Sequence, residues 1–175
     1  MPQVNVGDEN GQSSMHMAVK GIASVAIATN TIPDEKAMEM MRILVQRGAF
    51  CDYANSFGKR PINECIDSSD QGVPMCDFLL ALVDKSGTRV VDLKSIRPTD
   101  GNSLLHDAAW SGNTECMRKL LATNAFGDML ESTNKQGQTA LHCAAFRAPK
   151  EVNSLLIDAG ASHTATERNP RRTRK

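Results

Sequence analysis

Three of the four histidines and all five cysteines are the side chains here with the most chemistry to offer. His16, His106 and His142 are residue types that serve as general bases and metal ligands, and Cys51, Cys65, Cys76, Cys116 and Cys143 are types that serve as nucleophiles, ligands or redox pairs. His142 and Cys143 come nearest to a nucleophile beside its base, but adjacent residues of a helix point about 100° apart, which does not make a dyad. The cysteines are odd in number, lack Cys-x-x-Cys spacing and fall in several cases at apolar helix positions, so they read as reduced core thiols. There is no phosphate loop, dinucleotide fingerprint, Gly-x-Ser-x-Gly turn or His/Cys cluster with zinc spacing. The expectation is therefore no catalytic residue, no cofactor and no metal. A hydrolase acting through Cys143 or Cys51 is the minority reading, and it requires a thiol of unusual reactivity.

The histidines are placed by an element that recurs. Gln136-Gly137-Gln138-Thr139-Ala140-Leu141-His142-Cys143-Ala144-Ala145 reads as a turn feeding a short helix, with Gly137 supplying backbone freedom, Thr139 the helix cap, and Leu141, Ala144 and Ala145 the buried face. Gly101-Asn102-Ser103-Leu104-Leu105-His106-Asp107-Ala108-Ala109 repeats it with the same spacing. Gly11-Gln12-Ser13-Ser14-Met15-His16-Met17-Ala18-Val19 repeats it more loosely, and Gly58-Lys59-Arg60-Pro61-Ile62-Asn63 has Asn where the others have His. A residue needed once for catalysis would not be copied into each unit. One that hydrogen-bonds the turn of its own or the next unit would be, so the histidines read as scaffold.

These blocks resemble the Thr-Pro-Leu-His-x-Ala signature of ankyrin repeats, whose period is about 33 residues and whose unit is a turn plus two antiparallel helices. The resemblance covers most of residues 4–164 and implies an all-α fold, an α-solenoid of stacked helix-turn-helix units with turn or hairpin fingers. It implies an ankyrin-repeat domain over residues 1–163, with repeats at about 11–57, 58–100, 101–136 and 137–163, and a basic flexible tail at 164–175. The four glycines lie 47, 43 and 36 residues apart, longer than the usual period, so the additions at Ala26–Ile32 and Asp84–Thr99 are expected in loops or helix extensions. In the first unit the spacing predicts helices at about 14–28 and 34–46, with Pro33 in the first turn of the second helix, Gly48 at its exit, and Met40, Met41, Leu44 and Val45 on one inward face. Val4-Asn5-Val6 is similar to the segment that closes one repeat and leads into the next.

Charge and hydropathy narrow the function. The chain carries 20 basic and 20 acidic side chains, and five of the basic ones fall in Thr164–Lys175. The body is therefore slightly acidic, which argues against nucleic-acid binding except by contact with the tail, a stretch that reads either as a localisation or phosphate-binding patch or as a solvated end. No run of 18 apolar residues and no signal-peptide layout occurs, so the expectation is an intracellular, non-membrane, monomeric protein of the cytoplasm, the nucleus or both.

The residues that the repeat does not require carry the functional expectation. On a helical wheel Trp110 lies about 140° from Leu105, and Phe146 the same from Leu141, so both point away from the core. In the family, the two residues after the Ala-Ala pair and the turn residues flanking the glycine line a concave binding face. Carried onto this sequence, the expected partner-binding residues are Phe57, Lys59, Asp67, Asn102, Trp110, Ser111, Lys135, Gln138, Phe146 and Arg147. Two readings of Trp110 stand side by side: an interface anchor, or a ring lying over the Arg89–Arg97 loop to complete the fold. The function implied is a non-enzymatic protein–protein interaction module, an adaptor, scaffold or inhibitor in the manner of transcriptional regulators of this family. The alternative is a regulatory segment of a larger enzyme, channel or ubiquitin-ligase subunit.

Overall fold

The repeated glycines sit in finger-like turns built by an Asx motif. Asp8, Asn55 and Asn134 each fold the chain back by accepting, on one side-chain oxygen, the amides two and four residues ahead. The distances are 2.9 and 2.8 Å from Asn10 and Gln12, 3.0 Å from Phe57 and Lys59, and 3.0 Å from Gln136 and Gln138. The finger at 97–102 is one residue longer, and there Asp100 accepts the Asn102 amide. Gly101 has φ +77°, and a Cβ on it would lie 2.8 Å from the Lys135 nitrogen, so both conformation and space demand glycine.

The computed structural model describes residues 4–162, and the tail expected at 164–175 lies outside them. The described chain is all-α, with eight α-helices and no strand, only an isolated bridge between Val83 and Arg89. The helices are α1 Ser14–Thr29, α2 Glu35–Gln46, α3 Pro61–Asp67, α4 Val73–Ala81, α5 Leu104–Ser111, α6 Thr114–Ala122, α7 Ala140–Arg147 and α8 Lys150–Asp158. Most have seven to nine residues, too short to be stable alone in water, so packing must hold them. The chain divides at Asp92/Leu93 into two compact units.

In the first unit α1 packs on α2 and on α3, and Met15, Val19, Ala23, Met41, Ile62, Cys65, Ile66, Met75, Cys76 and Leu79 are buried. The finger at 8–12 is tied to the next by the Ser56 amide donating to the Asn10 carbonyl at 3.0 Å. The addition at Ala26–Ile32 is helix as far as Thr29, ended by Asn30 in the left-handed region at φ 51°. Pro33 precedes the N-cap rather than entering the helix: Asp34 is the cap and accepts the Ala37 amide at 2.9 Å. Of the four residues expected inward on α2, only Met41 is fully buried, and Met40 is 51% exposed. The cause is that α1, not α2, carries the contact with α3. The first part of the second addition is a small hairpin, in which Asp84 accepts the Ser86 and Thr88 amides.

In the second unit α5 packs along α7 and α6 along α8. Leu105, Ala108, Ala109, Cys116, Met117, Leu120, Ala144, Val152 and Leu156 form its core. Lys135 donates its amide to the Asp100 carbonyl at 2.9 Å, joining the two fingers. Arg97 holds the longer finger down: its guanidinium donates to both oxygens of Asp107 at 2.7 and 2.8 Å and to Asp100 at 2.8 Å. Ala145, expected inward, is exposed, as is Ile157. Both belong to the last described helix pair, which has a described pair packed on one side only.

Candidate functional site

Two of the three repeated histidines prove to be ties between turns. In the first unit His16 Nδ1 accepts from Ser13, the α1 N-cap, and Nε2 donates to the Lys59 carbonyl at 2.9 Å in the next finger. His106 does the same in the second unit, with Ser103 at its own cap and the Gln138 carbonyl at 2.9 Å. Both rings are fully buried. Burial holds their pKa values below the ordinary histidine value, against the opposing hydrogen bonds to Lys59 and Gln138. His142 caps its own helix through Thr139 and, among the described residues, makes no bond to a second finger. Asn63, at the corresponding position of the second copy, caps in the same way by accepting the Arg60 amide at 2.7 Å. The sites that looked most like chemistry are thus occupied by structure.

The cysteines are all free and all buried. Burial pushes the thiols of Cys51 and Cys143 up to about 11, the opposite of activation. Among the described residues no three His, Cys, Asp or Glu side chains gather to hold a metal ion.

The exposed feature that stands out in the second unit is aromatic. Trp110 lies in the last turn of α5 and Phe146 in the last turn of α7, at the same place in copies 36 residues apart, so the packing of α5 along α7 brings the rings together. Their centroids are 6.1 Å apart and their planes 14° from parallel. Arg147 lies over Trp110, its Cζ 5.3 Å from the ring centroid. Trp110 is 45% exposed and Phe146 78%, so the two rings form one contiguous apolar patch on the surface.

The other expected partner-binding residues differ in how free they are. In the first unit Phe57 is 60% exposed, whereas Lys59 and Asp67 are engaged with each other at 2.5 Å. In the second, Asn102 accepts from Asn134 at 3.0 Å, Lys135 Nζ donates to the Pro98 carbonyl at 2.5 Å, and Ser111 Oγ donates to the Ala108 carbonyl at 3.2 Å. Gln138 is half-buried, with its backbone in the His106 tie. Trp110, Phe146 and Arg147 come together; the finger residues serve the fingers.

Two surfaces in the first unit escaped the sequence reading. Phe50 and Tyr53, each about half exposed, stack at 6.4 Å beside Cys51 and Val90. Their signal was available: two aromatic side chains fall three residues apart just after the exit glycine, Gly48. An apolar groove of about 630 Å³ runs between α1 and α2, lined by Ile22, Val25, Ile32, Pro33 and Met40. Periodicity placed Met40 in the core and so concealed it.

Comparison with known proteins agrees with this architecture. A family model described as ankyrin repeats, in three copies, matches residues 71–167. Human protein phosphatase 1 regulatory subunit 27 is 35% identical over 79 residues, 45% of this chain and 49% of that one. Human diacylglycerol kinase iota is 42% identical over 74 residues, 41% of this chain and 7% of that protein. The E3 ubiquitin-protein ligase KEG of Arabidopsis thaliana is 24% identical over 161 residues, 91% of this chain and 8% of its own length. The chain thus spans about half the length of the phosphatase subunit and under a tenth of the other two.

Proposed function

The chain belongs to the ankyrin-repeat family, and from that premise we propose that it is a non-enzymatic interaction module, an adaptor, scaffold or inhibitor that receives a partner protein on the family's concave face. The observation that carries this reading is the exposed stack of Trp110, Phe146 and Arg147. Buried tryptophan and arginine anchors dominate protein interfaces, and the two rings are already ordered against each other before any partner arrives. In the second unit the contacts we assign are Trp110, Phe146 and Arg147, flanked by Asn102, Ser111, Lys135 and Gln138; in the first they are Phe57, Lys59 and Asp67. Free, buried cysteines suit a reducing compartment, in the cytoplasm or nucleus, with the protein a monomer and transcriptional regulation among its roles. Among the described residues no helix is long and apolar enough to cross a membrane.

The test compares wild type, Trp110→Ala and Phe146→Ala for capture of a crosslinked partner, alongside thermal melting. Truncating an anchor should reduce recovery by roughly thirtyfold, the factor that about 2 kcal/mol represents, while the melting temperature stays within a few degrees. A large fall in melting temperature with capture unchanged would make Trp110 a structural residue and sink the proposal.

A second reading has its own observation: the matches occupy 7% and 8% of a kinase and a ubiquitin ligase. On that reading the module regulates a larger enzyme of which it is a segment. An open reading frame that continues into a catalytic domain would support it, and one that encodes the repeats alone would end it.

A further inference from the structure

We infer that the partner segment received by Trp110 and Phe146 presents a carboxylate next to an apolar side chain. The inference rests on the interaction surface proposed above and adds the chemistry of what it receives. Two exposed rings in near-parallel contact offer a flat apolar surface, and an apolar side chain gains most from covering it. The guanidinium beside them decides the charge. The Arg147 guanidinium is held over Trp110 and, among the described residues, has neither a hydrogen bond nor an ion pair, so its five donors are open in a planar fork that fits a carboxylate.

The other cations of the second unit are mostly engaged internally. Arg97 is bound by Asp100 and Asp107, Lys94 by Asp128, Arg118 by Glu115, and Lys135 by the Pro98 and Thr99 carbonyls. Lys150, three residues beyond Arg147, adds a second positive charge that has no ion-pair partner among the described residues, with Glu151 next to it. A stacked, unpaired arginine is also a pre-ordered one, which lowers the entropy lost when it binds. The same rings and cation could stack a nucleobase, but residues 93–162, which carry the rings, hold seven acidic and seven basic side chains, and the basic excess of the sequence lies apart from them in residues 164–175. The balance favours a peptide with an acidic residue in the register of one apolar side chain.

The probe is a degenerate library of eleven-residue peptides, each with leucine fixed at the centre, passed over the immobilised full chain; the retained pool is sequenced. Wild type should enrich Asp and Glu over Lys and Arg by roughly fivefold within two positions of the leucine, the scale of one exposed charge pair. Arg147→Gln should abolish that preference and Arg147→Glu should reverse it toward Lys and Arg, with melting unchanged because the side chain is exposed. Retention that needs Trp110 but ignores Arg147 would overturn this inference and leave the interaction reading standing. Preferential quenching of Trp110, the sole tryptophan, by a single-stranded oligonucleotide would overturn it in favour of nucleic acid.

Discussion

His106→Asn converts the third copy of the repeat into the form the second copy already has, and its cost can be worked from the structure. Asparagine keeps the capping half of the job: Asn63 accepts the Arg60 amide at 2.7 Å, as His106 Nδ1 accepts from Ser103. What is lost is the other half, the Nε2 donor on the Gln138 carbonyl at 2.9 Å. That carbonyl still accepts the Asn134 amide at 2.9 Å, so the loss is one hydrogen bond rather than a stranded acceptor, about 1 kcal/mol. The ring is fully buried, and the two heavy atoms that asparagine lacks leave a void costing about 1.5 kcal/mol more. The total is roughly 2–3 kcal/mol. His142→Asn should cost less than about 1 kcal/mol, because His142 is only half-buried and, among the described residues, its ring bonds only its own cap. Urea denaturation read by fluorescence of Trp110 reports the unit that contains both sites. Equal losses in the two variants would refute the assignment of the histidine as a tie between fingers.

Three further outcomes follow from named contacts. Because burial depresses the pKa of His16 and His106, the unfolded chain binds protons more readily than the folded one; stability is full above about pH 6.5, the unfolded value, and falls below it, by at most about 1.4 kcal/mol per pH unit per histidine. Denaturation at pH 7.5 and 5.5 checks this, and a pH-independent midpoint would contradict it. Asp107→Asn should destabilise the second unit by about 2–3 kcal/mol, since Arg97 and Asp107 are each only 9% exposed and the guanidinium would be left with Asp100 alone; a thermal melt within one or two degrees of wild type would show that the pair holds nothing. Thiol labelling of the folded protein at neutral pH should be slow at all five cysteines, and one rapidly reacting equivalent would revive the hydrolase reading.

Much of the scaffold was legible because the information was local and repeated. Gly11, Gly58, Gly101 and Gly137 all adopt positive φ, and Ser13, Ser103 and Thr139 cap their helices in combination with a histidine three residues on, features set by the spacing of a few neighbouring residues. The placement of Met40 was not legible: the 3.6-residue period fixes which side chains share a face, while burial depends on which helix a distant segment packs against, here α1 rather than α2. Ala145 is exposed because its helix pair, the last described, has a described pair packed on one side only.

The candidate site divides along the same line. That Trp110 and Phe146 occupy one position in successive copies is readable by counting, and the packing of α5 along α7 turns equal register into a stack at 6.1 Å. Which of the expected polar residues are available is not readable by counting. Lys59 is tied to Asp67, Asn102 to Asn134 and Lys135 to the Pro98 carbonyl, partners eight to 37 residues away that only the folded fingers bring within reach. A motif position shared by a family is therefore a weak guide to a contact when its side chain also stabilises the finger that carries it. Arg147 escapes this conflict because stacking on Trp110 orders it without occupying its donors, which is why the charge of the partner can be argued from this residue and from none of the finger positions.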